Sequence, residues 1–170
     1  GIVAHVAFAH PVCADVAKVA ADSAQAVGAT VHRGGTYVNM EGPQFSTRAE
    51  SEVYRQWGVD VIGMTNLTEA RLAREAEICY VSLSMITDYD CWHETEEAVS
   101  GEAVMEVVRQ NVKMSQEVVR QMLSRVAGER KRDCVCAEAL KYSLITERAM
   151  IPAETLKNLE PIVGRYIKAE

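Results

Sequence analysis

Between residues 12 and 27, Val12, Val16, Val19, Ala20, Ala24 and Val27 recur at the spacing of one helical face, and Gly28 comes next as a stop signal. This pattern predicts an amphipathic helix whose apolar stripe needs a sheet to cover. Residues 31–40 hold Val31, Thr36, Tyr37 and Val38 around Gly34-Gly35, which predicts a strand interrupted by a turn or bulge. Thr47-Arg48-Ala49-Glu50 has the form of a capping box, in which side chains satisfy orphan N–H groups at a helix start, so the loop 42–46 ends at a helix N-terminus. Residues 59–64 and 78–87 are short apolar runs bounded by polar turns, the signature of strands buried on both faces, and 67–76 reads as a helix between them. The longest helix is expected over 103–123, with Val104, Val107, Val108, Val118, Val119 and Met122 on one face. Residues 128–133 read as a polar linker. Two terminal helices are expected after it, over 137–145 and 152–167, the second carrying Leu156, Leu159, Ile162, Val163 and Tyr166 with Pro152 near its start. Helices alternating with short buried strands predict an α/β fold, and there is no internal repeat or low-complexity tract.

Composition narrows the classes. The chain has 170 residues, 48% of them hydrophobic and 25% charged, enough for one domain with a single core. The net charge of -6 supplies no basic field, and the one basic cluster, Arg130-Lys131-Arg132, sits between Glu129 and Asp133, so nucleic acid is not an expected partner. No apolar run approaches the roughly 18 to 20 residues that span a bilayer, and no secretory leader is recognisable, so a cytoplasmic protein without a membrane partner is expected. Gly1-Ile2-Val3 opens directly in an apolar segment without Met, as though the chain starts within a fold.

Of the five cysteines, Cys13, Cys79 and Cys91 lie in or beside apolar stretches and read as core thiols. Cys134 and Cys136 have one residue between them, whereas zinc knuckles use two and a second ligand pair. No second pair is evident along the chain, so no metal is expected; the two are either plain thiols or a redox pair with a strained local disulfide.

Candidate chemistry gathers at the expected strand ends, where ligands of open α/β sheets bind. Asp88 and Asp90 in Thr87-Asp88-Tyr89-Asp90 fall on the same side of an extended chain, roughly 6 to 7 Å apart. One could be kept protonated by its neighbour and by burial, giving a proton donor beside an acceptor; a solvated turn or helix cap is the alternative. Glu41-Gly42-Pro43-Gln44-Phe45-Ser46 brings backbone and a flat ring ahead of a helix, either as a ligand loop or as a rigid turn plugged by Phe45. Thr65, after Met64, either meets an anion or caps the next helix. His5 and His10 bracket Phe8 and by themselves read as structural histidines.

Taken in order, residues 41–51, Gly63-Met64-Thr65 and Thr87-Asp88-Tyr89-Asp90-Cys91-Trp92 resemble the consecutive motifs of 5'-methylthioadenosine phosphorylases within the nucleoside phosphorylase family. The resemblance is strong over residues 2–125, and the tail with Cys134-x-Cys136 is similar to the bacterial and archaeal branch. It implies a twisted mixed sheet flanked by helices, of which this chain lacks the N-terminal part. Residues 1–127 would be the C-terminal half of that domain, 128–136 a polar linker and 137–170 a helical extension. The implied reaction is phosphorolysis of methylthioadenosine to adenine and 5-methylthioribose 1-phosphate, without a cofactor, in a trimer or hexamer completed by the N-terminal half as a separate chain or fragment. By resemblance, Asp88 serves purine N7, Asp90 the 6-amino group, Phe45 and Ser46 the base, Met64 the ribose and Thr65 the phosphate. His5 is implied to reach the 5' end of the substrate in a neighbouring subunit, and Met105 to lie by the methylthio pocket. A purine nucleoside or methylthioinosine phosphorylase is one alternative, which Asp rather than Asn at 88 and 90 disfavours; a non-catalytic subunit retaining the purine pocket is another.

Overall fold

The computed structural model describes residues 1–93, 101–128 and 134–167. Among these lie α1 (Ala14–Ala26), β1 (Tyr37–Asn39), α2 (Arg48–Gln56), β2 (Val61–Gly63), α3 (Asn66–Glu75), α4 (Gly101–Gly128) and α5 (Ala153–Val163). The chain forms two compact units: Gly1–Ala17, Thr68–Val81 and Lys131–Glu170 make the first, Lys18–Leu67 and Ser82–Arg130 the second.

In the second unit β1 and β2 pair in parallel, Tyr37 opposite Val61, Val38 opposite Ile62 and Asn39 opposite Gly63, with α2 as the crossover. Parallel strands need such a connection because a hairpin cannot reverse direction twice. Helix α2 starts where the capping box placed it: Thr47 Oγ1 accepts from the Glu50 N–H and Glu50 accepts from the Thr47 N–H. Those bonds from the Thr47 backbone and hydroxyl hold the Glu50 carboxyl below its usual range.

Three helices end alike. After α1, Gly28 N–H bonds to Gln25 and Ala29 N–H to Ala24; after α2, Gly58 to Arg55 and Val59 to Tyr54; after α3, Glu77 to Arg74 and Ile78 to Ala73. Each is a Schellman closure, which puts its C′ residue in the left-handed region, here at φ of 84°, 73° and 57°. Glycine occupies the first two without strain, whereas Glu77 carries a steric cost on the order of 1 kcal/mol. Its carboxylate offsets that cost in the first unit, accepting from Leu140 N–H (2.9 Å) and Tyr166 Oη (2.6 Å) and pairing with Arg165 (2.8 Å) while only 9% exposed.

Two sequence expectations are corrected. Residues 78–87 form no strand: a buried strand needs partners for its N–H and C=O groups, and no ladder among the described residues includes this segment. Tyr80 C=O accepts instead from Cys13 N–H, and Ile86 C=O from the Asn111 side chain. Residues 137–145 are not an α-helix either. A 3-10 turn, Val135–Glu138, leads into turns, and Leu144 then bridges Ala4 antiparallel, with His5 N–H bonded to Ser143 and Ile145 N–H to Val3. Pairing with the first residues of the chain overrides local helix propensity there.

The α1 stripe is also redistributed. Ala20, Ala21, Ser23 and Ala24 are buried while Val12 is exposed, so small residues carry the close-packed face. On α4 Val118 is buried, Val107, Val108 and Met122 are half-buried and Val119 is exposed; the side chain of Val104 lies outside the described residues, as do positions 129–133 of the expected linker. No helix among the described residues is long and apolar enough to cross a membrane.

Candidate active site

Asn39 closes β1 and organises the neighbouring strand end. Its amide donates to the Met64 carbonyl (2.8 Å) and its Oδ1 accepts from Leu67 N–H (2.9 Å), so one side chain ties the end of β1 to the end of β2 and caps the first turn of α3. That N–H is the kind of group Thr65 would meet if it capped the helix rather than an anion; Thr65 itself is exposed. The sequence carries only a faint signal for Asn39, an amide side chain ending a β-branched run.

The loop from Met40 runs over the same place. Met40 N–H bonds to the Gly63 carbonyl (2.8 Å). Gly42 sits at φ 70° with the Met64 sulfur 2.6 Å from where a Cβ would stand, so a side chain at 42 would displace either the loop or Met64. The Gly42-Pro43 peptide is cis. Beyond it Phe45 is 86% exposed, presenting a bare ring, while Ser46 is half-buried with its hydroxyl directed at the Met40 sulfur. Thr47 then starts α2.

The segment 87–93 meets this loop. Cys91 Sγ donates to the Ser46 carbonyl (3.6 Å), and Arg55 of α2 lies 3.7 Å above the Trp92 ring, a cation–π contact. Tyr89 stacks on His93 with centroids 4.8 Å apart and meets Trp92 edge-on at 5.8 Å. Within this frame Asp90, half-buried, accepts from the Cys91 N–H at Oδ1 (2.9 Å), and Asp88, exposed, accepts from the Thr87 hydroxyl at Oδ2 (2.7 Å). Each carboxylate thus has one oxygen engaged by its neighbour, and among the described residues the other accepts no hydrogen bond. The burial expected to keep one of them protonated is not supplied to Asp88 by the described residues of this chain. Two carboxylates, an exposed ring and a hydroxyl beside two strand ends suit a flat, nitrogen-rich ring that both accepts and donates.

The second unit therefore brings together the loop with Phe45 and Ser46, the Met64-Thr65 strand end and the Asp88–Asp90 segment. Met105, half-exposed on α4, belongs to the same unit. His5 belongs to the other unit, exposed, with its N–H on the Ser143 carbonyl.

The first unit assembles a group that spacing alone conceals. The sulfurs of Cys13, Cys79, Cys134 and Cys136 all lie within 4.8 Å of one another, Cys79 and Cys134 at 3.4 Å. Cys13 and Cys79 are the second pair that Cys134-x-Cys136 lacks along the chain. All four are free thiols, as is Cys91. Burial, then hydrogen bonding to Cys134, pushes the Cys79 thiol far up, and burial with the nearby Cys13 thiol pushes Cys136 to about 11. Burial acts upward on Cys134 too, but hydrogen bonds from the Cys79 thiol and the Cys136 backbone outweigh it and draw Cys134 down.

Comparison with known proteins places this geometry. The model of the phosphorylase superfamily matches residues 2–124. The chain is 55% identical over 167 residues to an S-methyl-5'-thioadenosine phosphorylase of Geobacter sulfurreducens, covering 98% of this chain and 58% of that protein. It is 50% identical to the enzyme of the same name from Koribacter versatilis, covering 98% and 56%. Among solved structures, a methylthioadenosine phosphorylase from an antarctic soil metagenomic library superposes with TM-score 0.88 at 41% identity, over 95% of this chain and 57% of the other. A Schistosoma mansoni methylthioadenosine phosphorylase in complex with adenine gives 0.75 at 27% identity, over 84% and 56%. The chain spans 58% of the length of the Geobacter protein and a similar share of the others. The matched stretch, residues 2–124 of 170, makes the chain a member of the phosphorylase superfamily.

Proposed function

We propose that this chain is the purine- and ribose-holding part of an enzyme that splits 5'-methylthioadenosine with phosphate, giving adenine and 5-methylthioribose 1-phosphate. The observation that carries the reading is the meeting of the three motifs within one unit: Gly42 against Met64, and Cys91 on the Ser46 carbonyl. The names of the similar proteins support the substrate. In this reading residues 1–127 are the C-terminal half of the catalytic domain, in keeping with the matched stretch 2–124, succeeded by a linker over 128–136 and an extension over 137–170. The rest of the fold completes the phosphate site, as a separate chain or fragment. The assembly is a trimer or hexamer in the cytoplasm serving purine and methionine salvage, and phosphate is a co-substrate rather than a cofactor.

The mechanism rests on charge. Breaking the N-glycosidic bond leaves the sugar positive and the base negative, so a site that prefers this state needs an acid at the purine and an anion beside the sugar. Asp88, in its protonated form, donates to N7 and so makes adenine a neutral leaving group; phosphate, met by Thr65, attacks the opposite face of the ribose carbon. Asp90 accepts from the 6-amino group through the oxygen not engaged by Cys91. Phe45 covers the base, Ser46 lies at its edge, and Met64 lines the ribose. Met105 borders the methylthio group, and His5 reaches the 5' end in a neighbouring subunit.

A 6-oxopurine presents an acceptor where Asp90 also accepts, a mismatch of about 1 to 3 kcal/mol. In the complete enzyme, kcat/KM for methylthioadenosine is expected to exceed that for methylthioinosine by roughly 10- to 100-fold. Equal rates, or a preference for the inosine compound, would refute the placement of Asp90.

A further inference from the structure

We propose that Cys13, Cys79, Cys134 and Cys136 form a closed four-thiolate site for zinc, a structural centre in the first unit and separate in role from the nucleoside site. The four sulfurs lie within 4.8 Å of one another. Zinc held by four thiolates at about 2.3 Å in tetrahedral geometry sets its sulfurs about 3.8 Å apart, so only a small contraction of the tetrad is needed. Cys13 and Cys136 are each 3% exposed, and Cys79 and Cys134 are half-buried, which shields the centre from competing ligands.

The backbone presents the sulfurs from three separate stretches. Cys13 precedes α1, its N–H fixed on the Tyr80 carbonyl (2.8 Å) and its own carbonyl accepting from Ala17, so it is anchored next to the residue after Cys79. Cys79 comes just after the Glu77 turn that closes α3. Cys134 is extended (φ -80°, ψ 148°) and Cys136 lies in the 3-10 turn that begins at once, a break in direction that lets two cysteines with a single residue between them face one point. The spacing that speaks against a knuckle within one loop is thus no obstacle when the other pair arrives from elsewhere.

Soft thiolates select zinc among the common divalent cations, and a set of four protein ligands leaves no open position for substrate, which makes the centre structural. Binding is a proton exchange without redox change: one Zn²⁺ displaces the protons of four thiols and leaves a site of charge minus two. Its effect is to clip the start of α1, the end of α3 and the C-terminal segment together, closing loops that are long in sequence.

The test is metal content of the protein purified in reducing, chelator-free buffer with zinc supplied. About one zinc per chain is expected to survive gel filtration, and cobalt in its place is expected to give the intense bands of tetrahedral thiolate coordination. Cys91→Ser, which removes the exposed fifth cysteine of the other unit, should keep the metal; Cys134→Ser with Cys136→Ser should reduce it to less than about a tenth. Because those two substitutions can also impair folding, the parent protein decides. Less than about a tenth of a zinc per chain after reconstitution of the reduced protein, with no cobalt–thiolate spectrum, overturns the proposal. So does a protein freshly isolated with zinc supplied whose mass shows these cysteines joined as disulfides and which takes up no cobalt.

Discussion

The segment 87–93 and the cysteine tetrad hold reactive groups by opposite means. Asp88 stands exposed on an irregular segment, one oxygen held by the Thr87 hydroxyl, beside the aromatic stack of Tyr89, Trp92 and His93 with Arg55 above Trp92. Cys13 and Cys136 are buried, and Cys13 is fixed by its N–H on the Tyr80 carbonyl. The first region is therefore arranged to receive something from outside, and the second to be finished from within. On the proposed function, substitutions in segment 87–93 should change turnover and leave stability nearly intact, while those in the first unit should do the reverse.

The largest effect expected on that contrast is at Asp88. In the complete enzyme Asp88→Asn should lower kcat by about 10²- to 10⁴-fold, the usual contribution of a positioned acid, with KM little changed. Steady-state phosphorolysis measures it, and a variant as fast as the parent would exclude Asp88 as the acid. Next comes Glu77 in the first unit. Glu77→Ala should cost about 2 to 3 kcal/mol in chemical unfolding, since Leu140 N–H and Tyr166 Oη lose a nearly buried acceptor. Glu77→Gly should cost about 1 kcal/mol less than Glu77→Ala, because glycine relieves the left-handed strain at φ 57°. If the two variants are equally unstable, the strain is not real.

Smaller effects sharpen the same division. Thr47→Ala removes the capping box and should cost about 1 kcal/mol without affecting the zinc centre. The depressed Glu50 carboxyl gives this cap a pH dependence. A carboxylate whose folded pKa is lowered stabilises above its unfolded value and loses that contribution as pH falls, so the protection factor of the Thr47 amide, with the intrinsic pH dependence of exchange divided out, should fall on acidification and be flat near neutrality. Ser23 is fully buried on α1 and its hydroxyl has no hydrogen-bond partner among the described residues. Ser23→Ala should accordingly stabilise the protein by up to about 1 kcal/mol, and a clear destabilisation would mean that the hydroxyl has a partner.

What can be read along the chain is what neighbouring residues determine. Thr47 to Glu50 and the Gly28 stop are local in sequence, and the structure places them as the pattern predicts. Interactions between distant residues escape such a reading. The strand expected at 78–87 depends on partner strands that sequence periodicity does not specify, and the helix expected at 137–145 is diverted by pairing with residues 3–5. Glu77 shows no sign in sequence of a left-handed turn, where glycine is the usual signal. Asn39 reveals its bridging role only once the ends of β1 and β2 lie side by side. Spacing along the chain argues against a metal at the cysteines, and spacing is blind to a tetrad assembled from three segments.

The functional reading is tested most directly by monitoring products in the complete enzyme supplied with methylthioadenosine. Adenine and 5-methylthioribose 1-phosphate should appear in equal amounts, and only when phosphate is present. Adenine released at the same rate without phosphate, or no adenine at all from a correctly assembled enzyme, would contradict it.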